Sequence, residues 1–314
     1  MSKTVKILAM HPDMRTLFPN PPARWSFMET GGDLGRTIAE AGDAVDILLS
    51  ASIEKLDKDM LAKFPNLRMI ASISAGFSNI DLEECKKRDI AVTNAPGMNS
   101  GDVADVAVTM LNSLLLNFPQ SQHYILSDKW VSKSGPIRRS LRGMPVGIVG
   151  LGSIGKEVVK RLELFGVDLR WWGPRPKPDV ALPYVASVDE LAKECRGLIV
   201  CCRPDQTTHH LIDAQILDQL GSDGVLVNVS RGFVVDQSAL IKYLKAGKIA
   251  GAGLDVFDPE PTNAATWEGV PNVILTPHQG GSTYETLFAQ AQIAQQNIEN
   301  FIDGKPLLTS VFAA

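Results

Sequence analysis

The stretch VGIVGLGSIG, residues 146–155, decides how this chain reads. Val146, Ile148 and Val149 form a short apolar run of the kind that makes a buried strand. Gly150, Gly152 and Gly155 then turn that strand into a helix. The first glycine permits a tight turn, the second lets the backbone approach a pyrophosphate, and the third lets the helix pack closely on the strand. The N–H groups at the helix start suit phosphate oxygens. Gly150, Gly152, Ser153, Ile154 and Gly155 are therefore candidate cofactor contacts. Glycine spacings of this sort are common alone; the strand before and the helix after give this one its weight. The 145 residues ahead of it leave room for another domain.

Upstream, strand and helix patterns alternate. A strand is expected over 5–10, then a loop holding Pro12, Pro19, Pro21 and Pro22. Helices follow over 34–40, 56–64 and 82–88, the last capped by Asp81, with strands over 45–50, 67–74 and 90–94. Such alternation implies a parallel sheet with helices on its faces. Residues 102–118, DVADVAVTMLNSLLLNF, read as a helix apolar nearly all round. A helix of that kind must be buried, by crossing between domains or by packing in a subunit interface. Residues 127–144 are polar and basic and read as an arm or loop. Downstream, strands are expected over 146–149, 167–172, 198–202, 225–229, 252–256 and 273–275. The helices between them cover 154–165, a segment ending at 191–195, 213–220 and 237–246. A long helix over 283–302, with Leu287, Ala291, Ala294 and Ile298 on one face, returns the chain to the first domain and leaves the tail 307–312 beside its sheet. The expected architecture is α/β: two doubly wound parallel-sheet domains with a cleft between them, one inserted into the other.

Composition narrows the function classes. With 45% apolar and 21% charged residues, the chain has the make-up of an ordinary globular protein. With a net charge of −4, nothing argues for nucleic acid as a partner. No apolar run reaches the length of a membrane span, and MSKTVKILAM enters a strand without a signal-peptide layout. The four cysteines, Cys85, Cys195, Cys201 and Cys202, lack zinc-ligand spacing, so no metal is expected. Cys201 and Cys202 lie in the apolar run LIVCC and read as buried thiols. A reducing cytoplasm is the expected compartment.

The second strand of the nucleotide domain bears on the choice of cofactor. An NAD-binding turn has an acid about 20 residues on, at the end of that strand. Here WW at 171–172 is followed by Gly173, Pro174, Arg175, Pro176 and Lys177. A carboxylate would bond the ribose hydroxyls and repel a 2′-phosphate. A glycine with nearby cations does the reverse, and a guanidinium can chelate the phosphate. Gly173, Arg175 and Lys177 thus favour NADP over NAD. Cys202 and Arg203, at the end of the strand 198–202, and Gly280 complete the candidate cofactor contacts.

Three later segments carry reactive side chains. NVSRG places Arg231 just beyond a strand, GLDVFDPEP places Glu260 in a rigid loop after another, and LTPHQGG places His278 after a third. Ligands of open α/β sheets bind outside the carboxyl ends of strands, so the three side chains are expected to converge. Each alone reads equally as a structural residue; together, behind a nucleotide turn, they read as a site. His11, His123, His209 and His210 have no such setting.

VGIVGLGSIG, NVSRGFVVD, GAGLDVFDPEP and LTPHQGG, in this order and spacing, resemble the motifs of the D-isomer-specific 2-hydroxyacid dehydrogenase family. The resemblance covers nearly the whole chain. It implies that Arg231, Glu260 and His278 are catalytic and that Asp255 holds the nicotinamide carboxamide. It also implies that Ser74, Ala75 and Gly76 bind the substrate carboxylate through backbone N–H groups, beside Arg231 and His278. It assigns residues 1–98 with 284–314 to a flavodoxin-like substrate domain and residues 99–283 to a Rossmann NAD(P)-binding domain. Gln279, where an apolar residue is frequent, and Phe77-Ser78 depart from the family pattern.

The expected reaction is NADPH-dependent reduction of a small 2-oxo acid, such as glyoxylate or hydroxypyruvate, to the D-2-hydroxy acid. Arg231 holds the carboxylate and the carbonyl oxygen. His278 gives a proton to that oxygen, and Glu260 favours its charged form. An NAD-linked phosphoglycerate-type dehydrogenase is the alternative; the missing acid and the short segment after the last helix weigh against it. A non-catalytic nucleotide-sensing scaffold is a second alternative, and the intact Arg–Glu–His set weighs against it. A homodimer is expected from the apolar helix at 103–116 and from the resemblance.

Overall fold

The apolar runs at 47–50 and 69–72 are buried at every position in the computed structural model, which describes residues 4–28, 33–51, 54–131 and 137–312. Strands buried on both faces belong in the middle of a parallel sheet. They sit there in the first of two units, Met1–Asn99 with Ser282–Ala314; the second unit is Ser100–Gly281.

The first unit runs Val5–Ala9 (β1), Trp25–Phe27 (β2), Leu34–Ala41 (α1), Ile47–Ser50 (β3), Lys58–Ala62 (α2), Met69–Ser72 (β4), Leu82–Lys87 (α3) and Ala91–Thr93 (β5). Its sheet is parallel in the order β2-β1-β3-β4-β5, the doubly wound order of flavodoxin-like proteins. Asp33, Asp57 and Asp81 start the helices by accepting the N–H groups of Arg36, Met60 and Glu84. The strand β2 lies inside the segment expected to be loop. It is short and at the sheet edge, where flanking prolines cost no ladder bond. Contacts of Trp25 with Phe18 (5.6 Å) and Phe27 (5.9 Å) seat it.

The C-terminal helix, Tyr284–Ile302, lays Ala291, Ala294 and Ile298 against Ile7, Leu49 and Ala71. Leu287 is only half-buried, and the polar Thr286, Gln290 and Asn297 share the buried face instead. Asn297 catches the tail: its Oδ1 accepts the Leu308 N–H (2.8 Å) and its amide donates to Thr309 Oγ1 (2.9 Å). Ser310 then bridges Thr93 antiparallel, at the edge of the sheet.

The second unit runs Ser100–Leu115 (α4), Phe118–Leu126 (α5), Pro145–Val149 (β6), Ser153–Glu163 (α6), Asp168–Trp172 (β7), Val188–Glu194 (α7), Gly197–Val200 (β8), Ala214–Leu220 (α8), Val225–Asn228 (β9), Gln237–Lys245 (α9), Gly251–Leu254 (β10), Ala264–Trp267 (α10) and Val273–Leu275 (β11). The sheet is parallel in the order β11-β10-β9-β8-β6-β7, and a parallel bridge from Trp171 to Tyr184 beyond β7 supplies the outer strand position that completes the Rossmann order. The expected helix through Phe118 ends at Leu115, because Asn117 takes a left-handed conformation (φ 55°) and Pro119 opens a separate helix. Ala104, Ala107, Val108 and Leu111 of α4 share a core with Ile148, Val158, Leu162 and Val227. The apolar character of α4 is therefore satisfied inside its own unit and does not call for a subunit interface. Residues 132–136 of the expected arm lie outside the described residues. Among the described residues, no helix is long and apolar enough to cross a membrane.

Candidate active site

The glycine turn has the shape its spacing predicts. Gly150 adopts φ 98°, and a Cβ there would stand 2.4 Å from the Cys202 Cα. At Gly155 a Cβ would lie 2.3 Å from the Gly150 carbonyl, so only glycine lets α6 close on the strand. At Gly152 a Cβ would meet nothing within 4 Å. Gly152 is also the N-cap of α6 and brings no side chain to the first-turn N–H groups of Ser153, Ile154 and Gly155. Open space in front of an uncapped helix start fits the pyrophosphate of a dinucleotide.

At the end of β7, Gly173 is buried and its carbonyl accepts the Tyr184 hydroxyl (3.1 Å). Arg175 is exposed. The Lys177 ammonium donates to the carbonyl of Leu151, within the glycine turn. Opposite, Ser230 donates to the Cys202 carbonyl (2.7 Å) and Cys201 to the Gly150 carbonyl (3.1 Å). Burial pushes the Cys202 thiol up to about 11 and that of Cys201 higher still, so neither offers a thiolate. Arg203 is exposed beside them.

Three loops bring the reactive groups together. Arg231 follows β9, and its guanidinium donates to the Ser230 carbonyl (2.7 Å). Burial pushes its pKa down while the nearby Glu260 charge opposes the shift. Gly232 explains how the loops can approach so closely: a Cβ there would lie 1.8 Å from the Phe257 carbonyl oxygen. That contact interlocks the arginine loop with the loop after β10. In the latter, the Phe257 N–H donates to Glu260 Oε1 (2.8 Å), and Glu260 Oε2 takes His278 Nδ1 (2.7 Å). Burial would raise the Glu260 carboxyl, but the hydrogen bonds from His278 and the Phe257 N–H, with the charges of His278 and Arg231, outweigh it and hold it below the usual carboxylate range. With Nδ1 turned to a carboxylate, Nε2 is the ring atom left for a substrate. The His278 side chain is 45% exposed, enough for contact.

Asp255 anchors the loop that carries His278. It is 3% exposed, and its carboxylate accepts the Thr276 hydroxyl and the N–H groups of Gln279 (3.0 Å) and Gly280 (2.9 Å). Its own carbonyl accepts the His278 N–H (2.8 Å). His278 itself sits at φ 52°, a left-handed conformation uncommon for a residue with a side chain. Sequence reading missed this bracing by Thr276 because the partners lie 21 positions apart. Gly232 was legible in principle, as a glycine directly after a candidate arginine. Ser74, Ala75 and Gly76 lie in the first unit, after β4. There the Ser74 N–H turns back to Ser72 Oγ (3.3 Å), and the Ala75 carbonyl accepts the Asn94 amide (2.8 Å).

Residues 108–280 match the family described as D-isomer specific 2-hydroxyacid dehydrogenase, NAD binding domain. A glyoxylate/hydroxypyruvate reductase A of Arabidopsis thaliana is 40% identical over 255 residues, covering 81% of this chain and 82% of that one. A 2-hydroxyacid dehydrogenase structure from Ketogulonicigenium vulgare superposes with a TM-score of 0.88 at 29% identity, over 99% of both chains. An NADPH-dependent glyoxylate/hydroxypyruvate reductase of Sinorhizobium meliloti, solved with NADP and malonate, gives 0.84 at 30% identity over 98% and 97%.

Proposed function

Since the chain belongs to the D-isomer-specific 2-hydroxyacid dehydrogenase family, we propose that it reduces a small 2-oxo acid, of the class of glyoxylate and hydroxypyruvate, to the D-2-hydroxy acid, with NADPH preferred over NADH. The observation that carries this reading is the His278–Glu260 pair at 2.7 Å beside a half-buried Arg231. Within a cofactor domain, a guanidinium next to an acid-backed imidazole fits an anionic substrate that must gain a proton on oxygen.

Arg231 binds the substrate carboxylate and steadies negative charge on the carbonyl oxygen, and its fork of donors suits both tasks. When bound, the reduced nicotinamide supplies a hydride to the carbonyl carbon. His278 delivers a proton from Nε2 to the oxygen, while Glu260 fixes the ring through Nδ1. In the oxidative direction neutral His278 takes that proton back. Asp255 holds the nicotinamide carboxamide side of the site and keeps His278 in place. The loop 74–76 is assigned to substrate binding and the second unit to the dinucleotide. Gly173, Arg175 and Lys177 support NADPH, and the relatives named as glyoxylate and hydroxypyruvate reductases support the substrate class. We also assign a homodimer, on grounds argued below for α5.

The test is loss of NADPH absorbance with a panel of 2-oxo acids, repeated with NADH. Turnover on two- and three-carbon acids, faster with NADPH, is the expected result. Cofactor binding without consumption across the panel would make the chain a nucleotide-sensing scaffold instead.

A further inference from the structure

Gly173 presents a puzzle that the glycine turn does not solve. Its φ lies outside the left-handed region, so its backbone would accept any L-residue. What forbids a side chain is space. A Cβ at 173 would stand 2.9 Å from Cζ3 and 3.5 Å from Cε3 of Trp171. That indole cannot step aside. It is 1% exposed, its Nε1 donates to the Leu182 carbonyl (3.1 Å), and Tyr184 packs edge-on against it at 5.0 Å. Its backbone is held too, by the Trp171 N–H to the Pro183 carbonyl and the Val185 N–H to the Trp171 carbonyl, each at 2.9 Å.

The same indole carries the cation that replaces the missing acid. The Lys177 ammonium lies 5.8 Å from the ring centroid and donates to the Leu151 carbonyl. Leu151 stands between Gly150 and Gly152, so a positive charge is parked between the glycine turn and the end of β7, where the ribose of a dinucleotide is met. One of the three ammonium donors is spent on Leu151, and two are left for a ligand.

We propose that Trp171 is a specificity-determining residue. By filling the space above Gly173 it bars a carboxylate from the end of β7, and it seats Lys177 as the charged group that meets the adenosine ribose, so that a 2′-phosphate is selected. The inference rests on the NADPH reading and deepens it: the preference is set by a buried aromatic side chain behind the ribose, as well as by the exposed Arg175. Replacing glycine with aspartate alone therefore cannot convert the site to NAD, because the new side chain has nowhere to go.

The experiment has two arms. Without any cofactor, thermal melting of Gly173→Ala is compared in the native background and with Trp171→Phe, which shortens the ring. Alanine should lower the melting temperature clearly beside the indole and little beside the phenyl ring. Equal losses in both backgrounds would overturn the proposal. In the second arm, calorimetry without substrate gives the dissociation constants of NADPH and NADH. Gly173→Asp alone should weaken both cofactors with their ratio kept. Gly173→Asp with Trp171→Phe should shift the ratio toward NADH by roughly tenfold or more, the size of a gained hydrogen bond to a charged group. A full switch by Gly173→Asp alone, at native melting temperature, would remove Trp171 from the account. Equal native affinities for NADPH and NADH would instead overturn the NADPH reading, which the melting arm does not depend on.

Discussion

At the scale of single residues, the site is a set of charges that correct one another. His278→Ala should cut turnover by on the order of 10²–10⁴-fold, the loss expected for a missing general acid, while calorimetry still shows cofactor binding. Near-normal turnover would take His278 out of the mechanism. Glu260 makes a separate statement about pH. Its folded pKa is depressed, so the stability it contributes is present above the carboxylate range and is lost as pH falls through the folded value. Melting temperatures of the native protein and Glu260→Gln should therefore differ at neutral pH and converge in acid. A constant gap across the acid range would contradict that linkage. If the proposed NADPH preference holds, Arg175→Ala should raise the KM for NADPH much more than that for NADH, because an exposed guanidinium just after β7 would pair with a 2′-phosphate that NADH lacks. The residues in these arguments were legible in sequence because each sits in a short run directly after a strand. The bracing around them was not. Thr276, Gln279 and Gly280 reach Asp255 across two parallel strands, and Trp171 blocks position 173 through space that no local pattern records.

At the scale of elements, the loops are held together where backbone meets backbone. The Gly232–Phe257 contact is the tightest case, and it sets how near Arg231 stands to Glu260. Gly232→Ala should destabilise the fold by about 1–3 kcal/mol or more, as overpacking does, and should depress turnover even in the molecules that remain folded. Urea unfolding beside single-turnover rates would separate the two effects; an unchanged unfolding midpoint would show that the loops can part at no cost. The strands were readable because buried parallel strands are nearly continuous apolar runs, as at 198–200 and 225–227. The elements that escaped were brief or relied on tertiary support. The edge strand β2 has three residues held by aromatic neighbours, α10 has four residues capped by Asn263, and α5 is cut from α4 by one left-handed asparagine.

At the scale of the whole molecule, a net charge of −4 coexists with Arg175, Lys177, Arg203 and Arg231 in one unit, all cations near the elements assigned to anionic ligands. The overall balance therefore says little about the substrate, and the local one says a good deal. The oligomer question also changes once side chains are placed. Sequence reading put the demand for a partner on α4, but α4 is covered by its own sheet. Among the described residues, several exposed apolar side chains follow one another on α5 and the segment after it, while Leu164, Tyr284 and Leu308 are exposed elsewhere. No residue of α5 is buried, and Ile125, Leu126, Trp130 and Val131 are 54%, 74%, 60% and 89% exposed. Burying such side chains gains roughly 1.5–3 kcal/mol each, so leaving four of them in water on a folded surface is a standing incentive to associate. A second copy is the simplest cover, since a two-fold contact presents the same apolar patch from both sides. The native protein should therefore run at twice the chain mass in sedimentation at micromolar concentration. Leu126→Asp with Val131→Asp should run at the chain mass with the melting temperature of the monomer fold largely kept, because neither side chain supports the core. A native protein already at the chain mass, or a double variant still at twice that mass, would move the interface away from α5.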